Sequence, residues 1–263
     1  MFPNKNEPVR PSITLPQNYR LIWQDTFRGH KLNSKKWRPL IRVRGDAHDV
    51  ATAVSVSNGL RIITYSKNAV NYTGFISTRK LFEPRFGFYE ARIKFHDSPG
   101  EWCAFWLQSP TNGQPVGDPA TAGMEIDIAE HRFINARGIS IQKLTRMGAL
   151  HWNGYGKYEK DIRSQLVPPP DGKSCQGHFH TYGLLWIAAG YQFYVDGRKV
   201  VTRPARTTPV SKTHEFLYLS CEVENHDWAG AIPPNGYGNR THSRTGMTVS
   251  WVRVWQANPN RNK

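Results

Sequence analysis

Apolar and polar positions along this chain alternate in short runs and nowhere settle into a helical period. Runs rich in β-branched and aromatic residues recur at 61–65, 87–95, 102–107, 124–130, 180–187, 191–195, 215–223 and 247–256, separated by Gly, Pro, Asn and Asp. Successive side chains of a strand point to opposite faces, so many short runs with turn residues between them predict an all-β sandwich or barrel. The clearest hairpin is Asp196-Gly197, between Phe193-Tyr194-Val195 and Arg198-Lys199-Val200-Val201, because a two-residue type I′ turn needs positive φ at both positions. No repeat, heptad or long amphipathic helix is present. Pro- and Gly-rich stretches at 109–123, 166–177 and 232–238 read as long loops over one domain, since no composition shift divides the chain. The expected organisation is an extended arm over 1–20 carrying Pro3, Pro8, Pro11 and Pro16, one sandwich over 21–258, and a short tail over 259–263.

Composition narrows the classes. Nine Trp, 11 Tyr and 12 Phe in 263 residues supply far more apolar surface than a disordered chain carries. Thirty-five Lys and Arg against 20 Asp and Glu leave a net charge of +15. Such a balance suits nucleic acid, anionic lipid or an acidic polysaccharide. Nucleic acid is disfavoured because the cations are dispersed and no nucleic-acid module is recognisable. Membrane insertion is disfavoured because the most apolar stretch, 182–195, is short and interrupted by Gly183, Gly190 and Gln192. The start of the chain has prolines where the apolar core of a signal peptide would stand. Cys103, Cys175 and Cys221 allow at most one bridge, and Cys103 and Cys221 are read as buried small hydrophobes.

The chemistry concentrates in Met124-Glu125-Ile126-Asp127-Ile128-Ala129-Glu130, which sets three acids within six positions of an apolar run. Such a placement is costly unless the charges face water or a ligand. In a regular strand Glu125 and Asp127 share a face and Glu130 opposes them. A β-bulge near Ile128 and Ala129 would restore Glu130 to the acidic face, and bulges are frequent beside active sites. A retaining glycosidase needs one carboxylate to attack the anomeric carbon and another about 5 to 5.5 Å away to protonate the leaving oxygen. Glu125 and Glu130 are the natural pair, with Asp127 setting the order of ionisation. A solvated edge strand and a calcium site are the alternatives. Trp102, Ala104 and Trp106 share one face of their run, which predicts a flat indole platform for a sugar ring; burial against a second sheet is the competing reading.

These residues resemble glycoside hydrolase family 16, the jelly-roll endo-β-glycanases. Glu125-Ile126-Asp127-Ile128-Ala129-Glu130 is similar to that family's bulged E-x-D-x-x-E signature. Leu21-Ile-Trp-Gln-Asp-Thr-Phe, Thr73-Gly-Phe-Ile-Ser-Thr, Phe88-Tyr-Glu-Ala-Arg-Ile-Lys, His180-Thr-Tyr-Gly-Leu-Leu-Trp and Val249-Ser-Trp-Val-Arg-Val-Trp follow in the family's order. The resemblance implies a jelly roll with a concave cleft, Glu125 as nucleophile, Glu130 as general acid/base, Asp127 as helper, and Trp102 and Trp106 against the sugar. It also implies a secreted, extracellular or periplasmic protein with a polysaccharide substrate and no cofactor. His151 matches a histidine on the neighbouring strand, for a sugar hydroxyl, a catalytic carboxyl or a structural role, with Trp152 beside it. Ser250 stands where members often carry a calcium-binding Asp, and Asp25-Thr26-Phe27 where they carry Asp-Glu-Phe. Losing a hard oxygen ligand makes a structural calcium doubtful, so no metal site is expected.

The substrate is chosen by loops. Glu222 and Trp228, in Glu222-Val-Glu-Asn-His-Asp-Trp228, are candidate sugar contacts. His131, Arg132, Arg137, Lys143 and Arg146 follow the acidic run. Guanidinium groups grip planar and tetrahedral anions, so a sulfated galactan is one candidate beside a plain β-1,3- or β-1,4-glucan; a solvated basic loop is the alternative. A noncatalytic lectin-like jelly roll is the second function class, and a monomer is the default assembly.

Overall fold

A computed structural model describes residues 9–258. The expected tail at 259–263 and the first eight residues of the expected arm lie outside the described residues. Strands Gly87–Phe95, Glu101–Gln108, Glu125–Arg132, Phe179–Ile187, Gly190–Val195, Phe216–Val223 and Gly246–Ala257 fall on the predicted runs to within two residues at each end. At the predicted hairpin Val195 pairs with Arg198, and Asp196 and Gly197 have φ of 47° and 78°.

Two antiparallel sheets form the sandwich. One, of eight strands, centres on Phe179–Ile187, Gly87–Phe95 and Gly246–Ala257. The other, of nine, centres on Glu125–Arg132, Glu101–Gln108 and Phe216–Val223. Alternation explains the packing: Tyr89, Ala91, Ile93 and Phe95 point inward to meet Cys103, Phe105, Leu107, Leu217, Leu219 and Cys221 in one continuous core. Burial of this area supplies the main driving force for folding. The intervening Phe88 joins Tyr194 and Trp255 on the outer face of the eight-stranded sheet, where Ile13, Leu15, Tyr19 and Leu21 cover them. The described part of the arm is thus laid over that face, and its strand Tyr19–Asp25 pairs with Gly246–Ala257.

A small third sheet, Arg42–Arg44, Ala47–Asp49, Val70–Thr73 and Tyr65–Lys67, flanks the sandwich and is not foreseen by the sequence pattern. In its first strand and just before it, Val43 and Ile41 are 66% and 68% exposed, while Arg42 and Arg44 lie over the Phe75 ring, 4.6 and 5.8 Å from its centroid. Among the described residues no helix is long and apolar enough to cross a membrane.

Candidate active site

The strand Glu125–Arg132 carries the acids, and its register against Glu101–Gln108 shows how. Trp106 pairs with Asp127 and Phe105 with Ala129, leaving Ile128 as an extra residue. Ile128 and Ala129 are both fully buried in the core. This is the anticipated bulge: beyond it the alternation is inverted, and Glu125, Asp127, Glu130 and Arg132 share the outer face. Without the extra residue Glu130 would face the apolar interior, where an isolated carboxylate is costly.

Pairing across the nine-stranded sheet turns this face into a grid. Arg132, Glu130, Asp127 and Glu125 lie opposite Trp102, Ala104, Trp106 and Gln108, which lie opposite Glu222, Ser220, Tyr218 and Phe216. On the other side His151 pairs with Glu125 and Arg146 with Glu130.

The carboxyls are held by named partners. Glu125 Oε2 accepts hydrogen bonds from Gln108 Nε2 at 3.0 Å and from the Tyr155 phenol. His151 Nε2 lies 3.5 Å from Asp127 Oδ2 and 3.9 Å from Glu125 Oε1, and its Nδ1 lies 2.9 Å from Glu159 Oε1. Burial alone would lower the His151 pKa. The Asp127 hydrogen bond and the Asp127 and Glu125 charges outweigh it and raise the pKa to about 10, so the ring is cationic at neutral pH. Burial first, and then the Asp127 charge, push Glu125 up to about 8. Burial and the charges of Asp127 and Glu125 push Glu130 well above the usual carboxyl range. Burial and mutual repulsion therefore both favour the protonated forms of Glu125 and Glu130.

The predicted tryptophan platform is corrected. Trp106 is only 5% exposed and packs with Phe75, Phe216 and Tyr218. Its indole N–H donates to Ser220 Oγ at 3.0 Å, and Arg44 lies 5.8 Å from its ring centroid. The reason is that the neighbouring strand Phe216–Val223, and the strand carrying Phe75 beyond it, present aromatic rings to the same face, and the Arg42–Arg44 strand folds over them. Trp102 remains partly open and meets Trp228 edge to face, with centroids 5.4 Å apart. Trp152, opposite in parity to His151, packs against the core, and its edge reaches a small crevice with Gln108, Tyr155 and Glu125.

Glu222 is not a free hydroxyl acceptor. It is buried, accepts from Ser220 Oγ at 2.9 Å, and pairs with Arg44 Nε at 2.7 Å. Among the basic residues after the acidic run, His131 faces the core and pairs with Asp97 at 2.6 Å, because strand alternation turns it away from Arg132. Arg137 and Lys143 are exposed on the loop. Arg132 and Arg146 come together instead, 4.3 and 5.7 Å from the Trp228 ring centroid. Neither makes an ion pair among the described residues, and the Nε of each is buried without a hydrogen-bond partner.

Gln108, Tyr155, Ser220 and Arg44 belong to the site and escape the sequence reading. Gln108 and Ser220 were findable by parity with Trp106 once the strands were paired. Tyr155 and Arg44 sit on a loop and on an unforeseen strand, and only the fold brings them to Glu125 and Glu222.

Comparison with known proteins agrees with this fold. Endo-1,3-1,4-beta-glycanase ExsH of Rhizobium meliloti is 27% identical over 211 residues, covering 76% of this chain and 39% of that protein. A keratan-sulfate endo-1,4-beta-galactosidase of Sphingobacterium multivorum is 22% identical, covering 91% of this chain and 56% of that protein. The chain therefore spans about two-fifths to just over half of these relatives' length. Among solved structures, porphyranase B from Zobellia galactanivorans superposes with a TM-score of 0.70 at 22% identity, over 94% of this chain and 97% of that one. An endo-beta-1,3-glucanase from Pyrococcus furiosus superposes with a TM-score of 0.72 at 23% identity, over 94% and 98%. Residues 23–257 match the family model described as the GH16 domain of beta-porphyranases A–D, and the chain belongs to that glycoside hydrolase family.

Proposed function

We propose that this protein is a retaining, endo-acting β-glycoside hydrolase that cuts within an anionic β-galactan bearing sulfate esters. The bulge at Ile128 carries the reading, because it sets Glu125, Asp127 and Glu130 on one face. Glu125 attacks the anomeric carbon while Glu130 protonates the departing glycosidic oxygen. The resulting glycosyl-enzyme ester is opened by a water that Glu130, now ionised, deprotonates. Cationic His151, held against Asp127, stabilises the negative charge that Glu125 must carry before attack. Gln108 and Tyr155 hold Glu125 Oε2 and so orient the carboxylate.

The anionic substrate rests on Arg132 and Arg146. Two guanidinium groups stacked on one indole, without a carboxylate partner, suit an oxyanion that satisfies both forks. The porphyranase family model and the keratan-sulfate galactosidase relative support the same class. Double displacement by two carboxyls and water calls for no cofactor. A structural calcium is also disfavoured: the two Asp25 carboxylate oxygens already accept from the Phe27 N–H at 2.8 Å and the Trp37 indole N–H at 3.0 Å, and Ser250 adds no carboxylate. A polymeric substrate supports a location outside the cytoplasm, and the presence of every group used within one chain supports a monomer.

The test is incubation of the protein and of Glu125→Gln with porphyran, carrageenans, agarose, laminarin and mixed-linkage glucan. New reducing ends are expected from a sulfated galactan with wild type alone, with retained anomeric configuration by NMR. Release from none of these by wild type, or equal release by the variant, refutes the assignment.

A further inference from the structure

Two of the three cysteines face each other in the same nine-stranded sheet. Cys103 and Cys221 are directly opposed in register, both fully buried, with Sγ atoms 2.6 Å apart. The backbone explains why they are close. The Cys221 N–H donates to the Gly74 carbonyl at 3.1 Å, and its carbonyl accepts from Thr73 Oγ1 at 3.0 Å. Both groups point away from Cys103, so the two cysteines form a non-hydrogen-bonded pair. Opposed Cα atoms at such a pair lie about 4.5 Å apart, inside the range of roughly 4.4 to 6.8 Å that a disulfide spans. Alternation sends both Cβ atoms to the core side.

We propose that Cys103 and Cys221 form a cross-strand disulfide when the protein folds under oxidising conditions. The bond staples the strand that carries Trp102 and Trp106 to the strand that carries Ser220 and Glu222, from beneath the floor of the site. In the reaction one thiolate attacks a small-molecule or protein disulfide, releasing one thiol. The second cysteine sulfur then displaces the other half as a second thiol. The protein loses two electrons and two protons, and the oxidant's disulfide is reduced to two thiols. Burial pushes Cys221 up to about 12 and Cys103 well above its ordinary value, so the folded pair has little reactive thiolate and closure belongs to the folding chain.

A buried metal at the same place is disfavoured. Glu101, the nearest carboxyl, already accepts from the Thr64 and Thr245 hydroxyls and the Ser98 N–H, and burial raises its pKa to about 8. Cys175 lies beside Tyr182 and serves as the unpaired internal control.

The experiment folds the reduced chain in oxidised glutathione, unfolds it in alkylating reagent without reductant, and maps the peptides by mass. The expected result is one linked pair, 103 with 221, lighter by two hydrogens than the free peptides, with Cys175 alone alkylated. The cross-link closes a long stretch of chain, with 118 positions separating the cysteines. The oxidised protein should therefore melt roughly 5 °C or more above the reduced protein. The Cys103→Ala/Cys221→Ala variant should show no such redox difference. Alkylation of all three thiols, a link through Cys175, or a stoichiometric metal with both thiols free overturns the proposal. The result does not depend on which polysaccharide is cut.

Discussion

Replacing Arg132 by Met separates recognition of an anion from integrity of the fold. Arg132 lies against Trp228, and its Nε has no partner. Burial first, and the neighbouring Arg146 second, lower its pKa to about 10. The charge is therefore held at a cost to the fold. The full shift corresponds to ~3 kcal/mol, and solvent screening reduces the part that reaches stability to about 1 kcal/mol. Met keeps the apolar contact with the indole and removes the charge, so the variant should melt at the same temperature or slightly higher. Toward a sulfated substrate the sign reverses. A hydrogen bond to a charged group contributes about 1.5–3 kcal/mol, so kcat/KM should fall roughly 10- to 150-fold. The assay is reducing-end release from a sulfated galactan and from its desulfated counterpart, alongside a thermal melt. Equal loss on both substrates, or unchanged kcat/KM on the sulfated one, refutes the anion-site argument. A large drop in melting temperature would show that the guanidinium is a structural element.

Three further outcomes follow from the same geometry. The pH–rate profile should be bell-shaped, falling at low pH as Glu125 is protonated and at high pH as Glu130 loses its proton; Glu130→Gln should cost about 10²–10⁴ in rate and remove the alkaline limb, and retention of that limb contradicts the acid assignment. Tyr155→Phe removes a hydrogen bond that lowers the Glu125 pKa, so the acid limb should move to higher pH while kcat falls and KM changes little; an unmoved limb means the phenol is not on the nucleophile during turnover. Glu101 and Glu215 are fully buried and raised to about 8, above their unfolded value. Their contribution to stability is therefore complete below the ordinary glutamate range and lost as pH rises to about 8, on the order of a few kcal/mol each. Denaturation midpoints from pH 5 to 9 should decline, and Glu101→Gln should flatten the decline.

The sequence pattern made the strands legible because alternation in short aromatic and β-branched runs has one structural meaning wherever a sheet is half buried. The bulge could be inferred for the same reason, since acids at 125, 127 and 130 cannot share a face without an extra residue. Parity could not reveal what covers a face. Trp102 and Trp106 look equivalent along the chain. Only the meeting of Phe75, Phe216 and Tyr218 with Trp106, under Arg42 and Arg44, shows that one indole is sealed and the other open. Glu222 likewise reads as a free acceptor until Arg44 arrives from 178 positions earlier.

What the sequence determined by itself is therefore the chemistry of single strands: which residues alternate, where the alternation must break, and which three carboxyls the break gathers. Tertiary structure decided every property that depends on a partner distant in the chain. It paired Arg132 with Arg146 and set Asp97 beside His131. It brought Tyr155 to Glu125, and it set Cys103 against Cys221. The physical reason is that strand periodicity is a local consequence of backbone geometry, whereas burial, ionisation and pairing are set by whatever side chain the sheet order places opposite.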